Sequence, residues 1–80
     1  MNDADISQHI AALVKEEHDL LERGEAGSLS RTEHQRLADI DVRLDQYWDL
    51  LRQRRARRDA GQDPTVAQMR PPDVVEKYKQ

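Results

Sequence analysis

Arg52, Arg54, Arg55, Arg57 and Arg58 put five guanidinium groups into seven residues, four positions after the only tryptophan, Trp48. Guanidinium forks grip phosphates or carboxylates, and an indole beside them supplies an apolar anchor or a stacking plate. The setting is local. Through Asp45 the chain carries eleven acids against five bases, from Gln46 to Gln62 two acids against five arginines, and from Asp63 onward three against three. The formal net charge of -3 opposes nonspecific binding to polyanions. Two readings of the arginines therefore stand together. They can be an electrostatic foot for an acidic protein surface, RNA or DNA. Equally, they can be cations that favour a helix C-terminus, with Asp3 and Asp5 at the facing start of a neighbouring helix pairing with Arg52, Arg54 or Arg55.

Other groups with chemical potential are less well arranged. Helical azimuths send His9, His18 and His34 to different sides, and no histidine follows a Glu or Asp by three residues, so the Glu-x-x-His pattern of carboxylate-bridged dimetal bundles is absent. Glu16, Glu17 and His18 are adjacent in sequence, yet neighbours on a helix diverge by 100° and make no catalytic cluster. Glu17 falls inside an apolar stripe, where a polar residue more often fixes register than performs catalysis, and Arg43 is its expected mate. No strained nucleophile elbow or phosphate-binding glycine loop is present. The expectation is a non-enzymatic protein with no catalytic residue, cofactor or metal.

The elements that hold these groups are written in the apolar spacing. Ile6, Ile10, Leu13, Val14, Leu20 and Leu21 share a sector of roughly 120° at 100° per residue, which predicts an amphipathic helix from about Asp3 to Arg23. Gly24 and Gly27 supply its stop and the turn. Ser30-Arg31-Thr32-Glu33 reads as a capping box, and Leu37, Ile40, Leu44, Tyr47 and Leu51 follow at spacings of three and four, the seam of a coiled-coil-like helix ending near Gly61. The short connection from Gly24 to Leu29 forces an antiparallel hairpin. Its expected layers are Leu21 on Leu37, Leu13 on Leu44, Ile10 on Tyr47 and Ile6 on Leu51. Residues 1–62 form this hairpin, and 63–80 a Pro-containing, irregular tail whose last residues make at most a turn or two of helix after Pro71-Pro72.

Eighty residues with 36% hydrophobic and 36% charged side chains and no Phe are poor material for a self-sufficient core. Without cysteine no disulfide can staple it. Tyr47, Trp48, Leu50 and Leu51 spread apolar surface over roughly 160° of the second helix, more than one facing helix can cover. Val74, Val75 and Tyr78 of the tail can fold over Trp48 or Leu50; a second hairpin can complete a four-helix bundle; or a different protein can dock. An all-α fold that dimerises is expected. The acidic start Met1-Asn2-Asp3-Ala4-Asp5 lacks the basic lead and apolar run of a secretory signal, and no stretch has transmembrane length, so a cytoplasmic location away from membranes is expected.

Leu44-Asp45-Gln46-Tyr47-Trp48-Asp49-Leu50-Leu51-Arg52-Gln53-Arg54-Arg55-Ala56, Gly61-Gln62-Asp63-Pro64 and Val74-Val75-Glu76-Lys77-Tyr78 resemble a family of short actinobacterial proteins, domain-of-unknown-function family 2630, and Leu13-Val14-Lys15-Glu16-Glu17-His18 fits it too. The resemblance implies an actinobacterial source and a small helical protein, with no established activity to carry over. Where members of that family often have Cys, this chain has Tyr47, which speaks against thiol chemistry there.

The composite expectation is a protein-protein interaction module that displays a rigid Tyr47-to-Arg58 segment. Tyr47, Trp48 and Leu50 are its apolar contacts, and Arg54, Arg55, Arg57 and Arg58 its orienting charges. Association with RNA, DNA or a ribonucleoprotein through the same arginines is the alternative.

Overall fold

The computed structural model describes residues 1–78, the side chain of Tyr78 excepted. Helix α1 (Asp3–Ala26) and helix α2 (Arg31–Asp59) form the hairpin, a 3-10 turn follows at Pro64–Val66, and helix α3 (Pro72–Tyr78) closes the chain. No strand occurs among the described residues.

Both long helices start with reciprocal caps. The Asn2 side-chain oxygen accepts from the Asp5 amide at 2.8 Å and Asp5 accepts from the Asn2 amide at 3.1 Å. Ser30 and Glu33 repeat the arrangement at 3.1 and 3.0 Å. Each box satisfies two amide donors that the first helical turn would leave unpaired. At the other ends, α1 runs through Gly24 to Ala26, three residues beyond the expected stop. A Cβ at Gly24 would make an ordinary contact, 3.4 Å from Leu29 Cγ, where the connection folds back, so α1 runs through this position without strain. Helix α2 ends where expected, because Gly61 takes φ +72°, which an L side chain resists, and lets the Gln62 amide reach the Arg57 carbonyl at 2.7 Å.

The core is a single seam. Ile6, Ile10 and Leu20 of α1 and Ile40, Leu44 and Leu50 of α2 are buried together, with Leu13, Leu37, Tyr47, Leu51 and Ala67 packed against them. One expected layer is corrected. Leu21 is 52% exposed and Leu20 is buried, because Leu20 continues the run Ile6, Ile10, Leu13, Glu17 at steps of three and four whereas Leu21 is turned 100° away. Val14, also expected inside, is 45% exposed for the same reason.

The tail folds back along α2 antiparallel to it. Gln46, Asp49 and Gln53, again three and four apart, make a polar stripe beside the apolar seam, and the stripe binds backbone. Gln53 Nε2 donates to the Gln68 carbonyl at 2.9 Å and Gln46 Nε2 to the Arg70 carbonyl at 3.1 Å. This polar attachment carries the extended segment to Pro72, where α3 begins with a proline at its first position. Val75 of α3 is then buried, 1% exposed. The tail is thus ordered against the hairpin rather than irregular throughout, with Ala67 packed against the core cluster, and Trp48 stays open. The expected contact of the Tyr78 side chain with Trp48 or Leu50 lies outside the described residues.

Candidate interaction surface

The arginines divide into two groups by azimuth on α2. Arg54 and Arg58, one turn apart, both reach back to the start of α1. Arg54 Nε donates to Asp3 Oδ1 at 2.5 Å and Arg58 Nη2 to Asp3 Oδ2 at 2.5 Å, so one carboxylate is shared between two guanidiniums. Arg54 also donates from Nη1 to the Pro64 carbonyl at 3.2 Å, and its side chain is only 7% exposed. These hydrogen bonds, Arg54's first and then Arg58's, hold the Asp3 carboxyl below its ordinary value of 3.8. The expected pairing of the basic end with the first turn of α1 is therefore present through Asp3, with Arg58 in the place expected of Arg52 or Arg55. Arg57 is half-buried, on the side where its charge helps lower the carboxyl of Asp63, whose shift comes first from hydrogen bonds with Thr65.

The remaining predicted contacts are also split. Leu50 is buried, 6% exposed. Tyr47 is half-buried with its ring stacked on His9, centroids 5.4 Å apart and planes within 5°. Trp48 is 47% exposed. Arg55 is exposed and among the described residues makes no ion pair. Trp48, Leu51, Arg52 and Arg55, at i, i+3, i+4 and i+7, line a shallow concavity of about 210 Å³ on the flank of α2 facing away from the polar stripe. Of the seven residues singled out in the sequence, this surface therefore unites Trp48 and Arg55. Leu51 and Arg52 join them, and Leu50, Arg54 and Arg58 serve the interior or the junction with α1.

Asp49 went unrecognised in the sequence. It sits between Trp48 and Leu50 with its side chain 1% exposed, a carboxylate inside the packed part of the molecule. Arg70 clamps it with both Nε, at 2.8 Å, and Nη2, while Gln53 Nε2 donates at 3.0 Å and Arg52 stands 3.8 Å away. The Arg70 hydrogen bonds outweigh burial and hold the Asp49 carboxyl below 3.8. No buried polar side-chain atom among the described residues lacks a partner. The only advance signal was the three-four spacing of Gln46, Asp49 and Gln53, which marks a face without saying what lies on it.

The carboxylates of α1 also differ from expectation. Arg36 takes Glu16, through Nε at 2.5 Å and Nη2 at 2.7 Å, and Arg43 lies where its charge further lowers the Glu16 carboxyl. Glu17 meets Asp41 instead of Arg43. Its carboxyl is pushed above 4.5, first by the hydrogen bond with Asp41, then by burial and by the Asp41 charge. The reason is rotation: Glu17 lies in the seam itself, Glu16 is turned 100° to one side of it, and Arg43 is on the Glu16 side. His18 pairs locally with Glu22 at 3.1 Å. Among the described residues no three His, Asp or Glu side chains gather as a metal would require. No described helix is long and apolar enough to cross a membrane.

The molecule is thus a helical hairpin with a tail latched onto one flank of α2 and a tryptophan left open on the other. It belongs to the family described as protein of unknown function (DUF2630), which matches residues 2–80. Uncharacterised proteins of Mycobacterium tuberculosis and Mycobacterium bovis are each 48% identical to it over 77 residues, spanning 95% of this chain and 88% of theirs. No solved structure matches it.

Proposed function

We propose that this protein is a small, non-enzymatic interaction module whose working surface is the flank of α2 formed by Trp48, Leu51, Arg52 and Arg55. The observation that carries this reading is the half-exposed Trp48. A chain with little apolar material leaves its largest side chain 47% open while burying neighbouring Leu50 and even the carboxylate of Asp49. Trp and Arg are the side chains most enriched where binding energy concentrates, and Arg52 and Arg55 flank the indole. A non-enzymatic role is supported by the shallowness of the concavity and by the dispersal of the titratable groups, since reaction geometry needs a sheltered site.

A protein surface is the favoured partner. Arg54 and Arg58, two of the four arginines offered to a phosphate backbone, are held by Asp3, and the net charge is -3. The test is affinity capture from host lysate with and without nuclease, comparing wild type with Trp48→Ala and with Arg52→Glu/Arg55→Glu. Helicity by circular dichroism confirms that the variants fold. A nuclease-resistant partner lost with either variant is expected. Identical capture by all three proteins refutes the reading, and capture that disappears with nuclease transfers it to nucleic acid.

A further inference from the structure

At 100° per residue, Asp41, Asp45, Trp48, Arg52 and Arg55 fall along one line of α2, roughly 60–140° from Ile40. The tail occupies the opposite flank, through Gln46 and Gln53. Asp41, Trp48, Arg52 and Arg55 are exposed. The order of groups is two acids, the indole, then two bases, and it is nearly symmetric about Trp48. Asp41 and Arg55 are each seven residues from the indole, about 10.5 Å along the axis at 1.5 Å per residue, while Asp45 and Arg52 are about 4.5 and 6 Å away.

Resting on the reading of this flank as an interaction surface, we propose that its occupant is a second copy of this chain, docked antiparallel with the two-fold axis at Trp48. The two indoles then meet at the centre, Arg55 of each copy lies opposite Asp41 of the other, and Arg52 lies opposite Asp45. A parallel arrangement would set Asp41 on Asp41 and Arg55 on Arg55, so the charge order selects the antiparallel one. The single chain also leaves both halves of the outer pair poorly matched. Asp41 faces the like-charged Glu17, and Arg55 makes no ion pair among the described residues. The antiparallel dimer brings the Arg55 guanidinium of the second copy to that carboxylate pair. The product is a four-helix bundle whose central contact covers the apolar surface the tail leaves open.

Sedimentation equilibrium of the full chain from about 1 µM to about 1 mM at low salt tests this. The expected dimer mass is 2 × 9.3 = 18.6 kDa. Asp41→Arg and Arg55→Glu should each weaken dimerisation by about tenfold to a hundredfold, because two-fold symmetry makes every substitution act twice. An equimolar mixture of the two variants should regain it. Only in the heterodimer does the guanidinium introduced by Asp41→Arg meet the carboxylate introduced by Arg55→Glu, while the second outer contact remains a native Arg55 to Asp41 pair. Rescue by mixing also separates this mechanism from misfolding, as an unfolded variant gains nothing from an oppositely charged one. A wild type monomeric at about 1 mM, a dimer indifferent to both substitutions, or a mixture no tighter than its components overturns the proposal. Each of these leaves the flank open to a different protein, a question decided independently by the Trp48→Ala capture experiment.

Discussion

Replacing Arg70 with Met should destabilise the protein more than replacing Asp49 with Ala, although both remove the same ion pair. In Arg70→Met the Asp49 carboxylate, 1% exposed, keeps its burial and loses its main counter-ion. Leaving one member of a buried pair uncompensated costs about 3–5 kcal/mol. Gln53 at 3.0 Å and Arg52 at 3.8 Å remain and bring the expected loss to about 2–3 kcal/mol. In Asp49→Ala the group that loses its buried partner is Arg70, already 33% exposed and able to reach water, so about 1–2 kcal/mol is expected. For a chain of this size, total stability is about 4–12 kcal/mol, and the Arg70 change should lower Tm by about 12–18 °C. The loss has a ceiling. Undocking the tail rehydrates Asp49, so the cost cannot exceed the free energy of tail docking, and hydrogen exchange of the α3 amides should accelerate before global unfolding begins. The pH response supplies an independent check. In the wild type the Asp49 carboxyl is held below 3.8, so its contribution is present above the unfolded value and is lost as pH falls through the folded one. In Arg70→Met burial raises the same carboxyl, and stability should increase as pH falls from 7 toward 5. Urea unfolding followed by circular dichroism at pH 7 and 5 measures both quantities. Equal losses for the two variants, or no gain in the stability of Arg70→Met between pH 7 and 5, would refute the account of Asp49 as a buried anion held by Arg70.

Three further outcomes are expected. Leu20→Ala should cost about 2–4 kcal/mol in urea unfolding and Leu21→Ala no more than about 0.5, because only the first empties the seam; similar values would contradict the assigned rotation of α1. Ser30→Ala should cost about 1 kcal/mol through loss of the cap on α2, read as a lower Tm, with the m-value unchanged. Glu17→Gln should raise Tm at pH 7 and have little effect at pH 4: the raised Glu17 carboxyl gives stability that is present below 4.5 and lost as pH climbs through the folded value, and a neutral amide keeps the bond to Asp41 without the second charge. No gain at pH 7 would show that the two carboxyls do not repel.

What was legible in the sequence follows from how local each signal is. The hairpin, the Ser30 cap and the Gly61 stop are written in spacings of a few residues; the bounds of α2 agree with the structure to within a residue or so, and α1 overruns its expected end by three. Asp3 as an anion facing the basic end was readable from helix polarity, but choosing Arg54 and Arg58 over Arg52 and Arg55 needs the rotation of α2 against the first turn of α1. The choice between Leu20 and Leu21 is the same kind of problem, since two adjacent leucines both satisfy an apolar pattern until a step of three or four is fixed from Ile6. The Asp49–Arg70 clamp was not legible. Its partners are 21 residues apart across a Pro-interrupted stretch, and a lone acid among apolar residues gives no hint of which distant cation neutralises it. Asn2 as the cap of α1 is hard to single out in the sequence, because Asp3 and Asp5 beside it suit a helix start equally well.

The placement of Trp48 also sets what can be seen in solution. Its indole is the chain's only one, and it sits on the outer flank of α2, 47% exposed, instead of in the seam. Intrinsic emission from the isolated chain should already be that of a solvated indole, so unfolding moves it little and a denaturation curve recorded this way underreports the loss of the helices. The same fluorophore is well placed for the opposite purpose: anything that settles on the flank dehydrates it, shifts its emission to shorter wavelength and shields it from iodide. The protein therefore carries a label that is nearly silent about its own folding and responsive to whatever comes to rest beside it.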